Sequence, residues 1–135
     1  MSKVHRFRSS VITKEENGII HFRAEADDVY DKQDMIDLLD IMEQASNGEP
    51  FLVLMNAGEH KFLMTPEARE LFKTYDKARR LIIADAAVIN SLSTRILFNL
   101  LNMVNKPPFP FKAFETEEDA IAWLSSQKVP AVNNS

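Results

Sequence analysis

The sequence contains no cysteine. That absence removes disulfides, thiolate metal sites and a cysteine nucleophile together, and it fits a cytoplasmic protein. Glycine is almost as scarce, with three scattered along 135 residues, so no glycine-rich phosphate loop can form. No G-x-S-x-G nucleophile elbow occurs either. No run approaches the roughly 18 apolar residues needed to cross a bilayer. The opening "MSKVHRFRSS" is basic but lacks the apolar stretch of a signal peptide. A basic excess is missing too: the net charge is −4 and the pI is near 5.4, the wrong sign for a nucleic-acid partner. The three histidines, His5, His21 and His60, lack the i,i+4 spacing of helical metal ligands. No metal or cofactor is expected.

What is present is an ordinary globular balance, 45% hydrophobic and 27% charged, in a chain long enough for one domain with a real core. Residues 4–15 are rich in β-branched and aromatic types and read as one strand, with an interruption near Ser9-Ser10. Asn17-Gly18 suits a hairpin, because both residues tolerate positive φ, so "IIHFRAEA" reads as its partner strand. "DKQDMIDLLDIMEQASNG" reads as a helix with Met35, Leu38, Leu39, Met42 and Ala45 on one face, Asp31 as N-cap and Gly48 as its stop. "PFLVLMN" is a short continuous apolar run and reads as a buried strand. A loop through 57–64 leads to "TPEARELFKTYDKAR", a helix turning Ala68, Leu71, Phe72, Tyr75 and Ala78 inward. "LIIADAAVIN" holds the next strand, placed at about 84–90, followed by the helix "SLSTRILFNLLNMVN". "FPFKAF" is a last strand and "TEEDAIAWLSSQ" a last helix, capped by Thr116.

The order ββαβαβαβα predicts an α/β fold, a mixed sheet with a parallel core and crossover helices. One domain spans residues 1–128, with a frayed tail over 129–135. In such sheets ligand sites lie beyond the carboxyl ends of the strands, here the loops 57–64 and 90–94. Asn56, His60, Ser91 and Ser93 belong to that region.

Four features could carry chemistry. Thr65, followed by Pro66 and Glu67, fits a helix N-cap. It is also a candidate phosphoacceptor, since a phosphate there meets the positive helix end. The acidic series Asp28, Asp31, Asp34, Asp37, Asp40 and Glu43 drifts backward around the helix at its spacing of three, and reads as a solvated face rather than a metal site. Asp85 falls either in a central strand or, the preferred reading, in the connector before it. The helix after Asn90 is the most unusual element. Leu92, Ile96, Leu97, Leu100, Leu101, Met103 and Val104 cover about half its circumference, wider than the ~100° stripe a sheet-packed helix needs, and Phe98 lies beyond that arc. Such a helix is either sandwiched in the core, a homodimer contact, or one wall of an apolar-ligand groove with Phe109 and Phe111.

The stretches "TPEAREL" (65–71), "AAVINSLSTRILFNLLNMVNKPPFPFKAF" (86–114) and "TEEDAIAWL" (116–124) resemble the STAS-like family of small bacterial proteins. That family is related to sporulation anti-sigma factor antagonists (SpoIIAA-like) and is sometimes grouped with CRAL-TRIO lipid-binding domains. The resemblance runs from about residue 9 to residue 126. It implies a non-enzymatic regulatory or protein-interaction domain, and the apolar surface of the helix after Asn90 points to a homodimer or a protein partner docked around Leu97, Phe98, Leu101, Phe109 and Phe111. Among anti-sigma antagonists a serine opening the helix after the third strand is phosphorylated by a partner kinase, within a D-S-[SG]-G-like run. The matching stretch here is Met64-Thr65-Pro66, with a hydroxyl in place but Met64 where the family has aspartate and no glycine. The alternative expectation is a carrier or sensor of a small apolar or lipid-like ligand.

Overall fold

Two hairpins open the chain in the computed structural model, which describes residues 4–15, 17–104 and 106–127. The expected tail over 129–135 lies outside the described residues. Strand β1 (Val4–Phe7) pairs antiparallel with β2 (Ser10–Lys14), so the single strand expected over 4–15 is in fact folded back on itself. The bend falls at Arg8, whose φ of 54° is costly for a residue with a Cβ. Contacts hold it there. The Arg8 guanidinium grips Asp28 through both oxygens, at 2.7 and 3.0 Å, and lies 5.3 Å over the Tyr30 ring. That cation holds the Asp28 carboxyl well below the usual carboxylate range. β3 (Ile19–Ala24) follows a turn in which Gly18 takes positive φ and Asn17 accepts from Ile19 N–H through its side chain.

The six-stranded sheet has the order β1-β2-β3-β5-β7-β8. β3, β5 (Phe51–Gly58), β7 (Ile82–Ile89) and β8 (Phe111–Phe114) run parallel. Each parallel step is spanned by helical segments: α1 (Lys32–Ala45), then α2 (Pro66–Thr74) with α3 (Asp76–Leu81), then α4 (Leu92–Val104). The mixed sheet with a parallel core is therefore as expected. Two short strands were not anticipated. β4 (Asp28–Tyr30) and β6 (Phe62–Met64) form a small parallel sheet of their own, so the last three residues of the expected 57–64 loop are strand.

Inward residues of α1 are those its spacing predicts: Met35, Leu38, Leu39 and Met42 are buried. The acidic series is not simply solvated. Asp31 and Asp34 close a capping box, Asp28 serves Arg8, and Lys77 of α3 pairs with Asp40 at 2.8 Å and Glu43 at 2.9 Å. The main core lies between one face of the sheet and α1, α2 and α3. The other face is covered by α5 (Glu117–Ser125), through Ala120 and Leu124 on Leu54, Ala84, Ala86 and Val88. Those alanines let α5 approach closely.

Candidate functional site

Thr65 is the N-cap of α2: its hydroxyl accepts from Ala68 N–H at 3.2 Å, and Pro66 fits the first turn because it has no N–H to satisfy. Its own N–H donates to Tyr30 carbonyl at 3.0 Å, which ties α2 to β4. Replacing Thr65 with alanine is expected to cost about 1 kcal/mol, read as a lower urea midpoint, while serine restores it. Equal midpoints for the alanine and native proteins would show that the cap adds nothing to stability.

The other strand-end residues are engaged in local ties. Asn56 donates to Glu117 Oε2 at 2.7 Å and accepts from Gly58 N–H at 2.9 Å. His60 Nδ1 lies 3.6 Å from Asp27 Oδ1 at an exposed position. Ser91 accepts from Thr94 N–H at 3.3 Å, and its hydroxyl lies 3.1 Å from that of Ser93. Asn90 N–H donates to Gly58 carbonyl at 3.2 Å, which brings the two strand-end loops together. No hydrogen bond among the described residues links Thr65 to Ser91 or Ser93. Among those residues no group of three or more His, Asp or Glu side chains could hold a metal ion, and no helix is long and apolar enough to cross a membrane.

A cavity among the described residues lies elsewhere, between α4 and the sheet. One lobe of about 90 Å³ is lined by Phe62, Leu63, Met64, Arg69, Phe72, Asp85, Phe98, Leu101, Asn102, Pro107, Phe109 and Phe111. A second, of about 60 Å³, continues toward α1 and shares Phe62, Met64, Phe72, Asp85, Phe98 and Phe111. Of the expected groove residues, Phe98, Leu101, Phe109 and Phe111 line the cavity, with Phe98 stacked on Phe111 at 6.1 Å. Leu97 does not: it faces outward.

Asp85 corrects the sequence reading. It is not in a connector but inside β7, paired with Val53 and Phe111 across the sheet. Residues alternate along a strand, so Asp85 shares its face with Ala87 and Ile89 and points at the main core. Burial pushes its carboxyl up to about 7, with no other cause contributing. Its Oδ1 meets no hydrogen-bond donor, and neither does Asn102 Nδ2 meet an acceptor, although both atoms are buried. Arg69, the other charged side chain in the lining, donates to Met64 carbonyl at 2.6 Å.

Of the three expectations for α4, a helix sandwiched in the core is not what this chain shows. Its broad apolar arc faces solvent, and the narrower Phe98–Leu101–Asn102 side faces the sheet. No residue of this helix is buried. Leu92, Ile96, Leu97, Leu100, Met103 and Val104 are 51% to 79% exposed. The reason is the layer beneath: the rings of Phe109 and Phe111 fill the space under α4 and accept Phe98, so the remaining leucines have nothing to pack on within the chain.

The family described as Domain of unknown function (DUF7793) matches residues 13–128. No curated protein matches the chain. Among solved structures, the chain is similar to an uncharacterized protein of the DUF3478 family with a SpoIIAA-like fold, from Shewanella loihica PV-4. The TM-score is 0.55 at 20% sequence identity, over 92% of each chain.

Proposed function

We propose that this chain, which belongs to the DUF7793 family and has a SpoIIAA-like, STAS-like fold, is a non-catalytic interaction domain that self-associates through α4. The observation that carries this reading is the outward apolar stripe of α4. Single exposed leucines are normal, but a helix with six large apolar residues in the open and none buried is not. Arg95 is the helix's one charged residue, and its guanidinium is occupied by the carbonyls of Ile89 and Asn90, at 2.7 and 3.1 Å. The stripe thus presents no like charges to a second copy of a chain whose net charge is −4. A two-fold contact sets the same stripe against itself and covers both.

Thr65 is the place where a regulatory phosphate acts in this reading. It is half-buried at a helix start, one turn from Arg69, and Arg69 lines the cavity whose far wall is α4. A phosphate there adds about two negative charges beside that guanidinium.

Native mass spectrometry of the full chain tests both parts. A dimer is expected, and Leu100→Asp is expected to leave a monomer. Leu100 is half-exposed, so the substitution costs the fold on the order of 0.5 kcal/mol and reports association rather than unfolding. A phosphate-sized increment mapping to Thr65 in protein from its own cells supports the switch. A monomeric native chain at micromolar concentration overturns the self-association.

A further inference from the structure

We propose that the two-lobed cavity beneath α4 binds a small aromatic alcohol, a one-ring molecule whose hydroxyl donates to Asp85 and accepts from Asn102. The inference is independent of self-association, since the cavity walls and the exposed stripe are different faces of the same helix.

Two unpartnered polar atoms carry it. Asp85 Oδ1 is an acceptor, Asn102 Nδ2 is a donor, both are buried, and both residues line the same lobe without bonding to each other. A buried polar atom left without a partner is costly, and here two of complementary type line one cavity. A hydroxyl is the group that satisfies both at once, because it donates one hydrogen and accepts through its lone pairs.

Charge narrows the choice of head group. Arg69 lines the same lobe as Asp85. An ammonium would meet that guanidinium and leave the Asn102 donor facing a cation. A carboxylate would meet Asp85. A neutral head avoids both conflicts, and a carboxyl that burial raises to about 7 accepts from it in either protonation state.

Shape and lining choose the body. The lobes measure about 90 and 60 Å³ and share walls. An engineered apolar cavity of about 150 Å³ in another protein holds benzene. Phe62, Phe72, Phe98 and Phe111 surround the shared region, offering ring edges and faces to an aromatic guest. Beside it runs an open groove of about 560 Å³ that shares Asn102, Phe109 and Phe111, so the polar end of the inner lobe adjoins solvent-accessible space. The apolar-ligand expectation thereby acquires a size, one ring rather than a lipid chain.

The test titrates the full chain with phenol, toluene and benzylamine while following methionine methyl resonances by NMR. Met64 lines both lobes and serves as the local reporter. Phenol is expected to move the Met64 signal and to bind about tenfold more tightly than toluene, the discrimination of a well-placed hydrogen bond. In Asp85→Leu that preference is expected to collapse to about twofold or less. Asn102→Leu, at a half-exposed helical position, provides the same reading should the first variant not fold. Toluene matching phenol, benzylamine binding ahead of phenol, or a Met64 signal that no probe moves would each overturn the proposal. So would a phenol preference that survives both substitutions.

Discussion

Asp85→Asn is expected to be more stable than the native protein at pH 8 and nearly equal to it at pH 4. The carboxyl is raised by burial from its ordinary 3.8 to about 7. Between those values the unfolded chain has released the proton and the native chain still holds it, so stability falls as pH rises through this window. At about 1.4 kcal/mol per pH unit, the native protein is expected to lose at most about 4 kcal/mol relative to the variant across it, less in proportion to the solvent that reaches the half-buried side chain. Above pH 7 the difference is constant. Asparagine preserves the size of the side chain, so the comparison isolates the charge. Asp28 acts outside this window. Its carboxyl is lowered by Arg8, so its contribution is full above 3.8 and disappears only on stronger acidification. Urea midpoints of both proteins at pH 4, 6 and 8 make the measurement. A difference that does not change with pH would mean that Asp85 titrates in the ordinary carboxylate range and that water reaches it freely.

A loss of this size bears on why the residue is there. Total folding stability of a small domain is only about 5–15 kcal/mol. A buried carboxylate with no cation partner takes a large share of that, while leucine or alanine at the same strand position would take none. The neighbouring alanines of β7, Ala84, Ala86 and Ala87, are fully buried and apolar. Packing therefore does not call for an acid. A group that costs stability in the free protein and gains a partner on binding is the pattern of a site, and Asp85 and Asn102 fit that pattern.

The parts of this picture that were legible in the sequence are those written locally. α1 was clear because three signals agree: apolar residues at 3–4 spacing, Asp31 at its start and Gly48, which takes positive φ, at its end. The parallel core followed from the alternation of elements. Asp85 was misplaced because α3 runs directly into β7, and Leu81-Ile82-Ile83 fits the end of a helix and the start of a strand equally well. β4 and β6 are three residues each, too short for any period to register, and they exist through pairing of residues 34 apart in sequence. The excess apolar surface of α4 was visible, but its direction was not. Its wheel leaves core, dimer contact and groove wall open, whereas the ring of Phe111 from β8, which the wheel cannot see, takes Phe98 and turns the wide arc outward. Arg69 and Asn102 had no local signal at all. Each becomes notable only when α2, β7 and α4 meet around one cavity.

Phe62→Ala is expected to cost about 3–5 kcal/mol, the range for removing a large buried ring. Phe62 is 8% exposed and stands edge-on to Tyr30 at 4.8 Å and to Phe22 at 5.2 Å, so its loss also strips two aromatic contacts from the small β4–β6 sheet. Its second consequence separates a packing role from a role in keeping Asp85 dry. Phe62 forms part of the wall of both lobes, alongside Asp85. Removing the ring merges and widens the lobes around a carboxyl that can hold water, and a hydrated carboxyl titrates closer to 3.8. The pH-dependent effect of Asp85→Asn should then shrink when Phe62 is replaced by alanine. In a double-mutant cycle at pH 8, Asp85→Asn is expected to stabilise the Phe62→Ala protein less than the native one, with a coupling on the order of 1–3 kcal/mol. At pH 4, close to the ordinary carboxyl value, ionisation weighs little in either background and the coupling should fall to a small fraction of its size at pH 8. Additive effects at both pH values would assign Phe62 to packing alone and leave the isolation of Asp85 to the rings of α4 and β8.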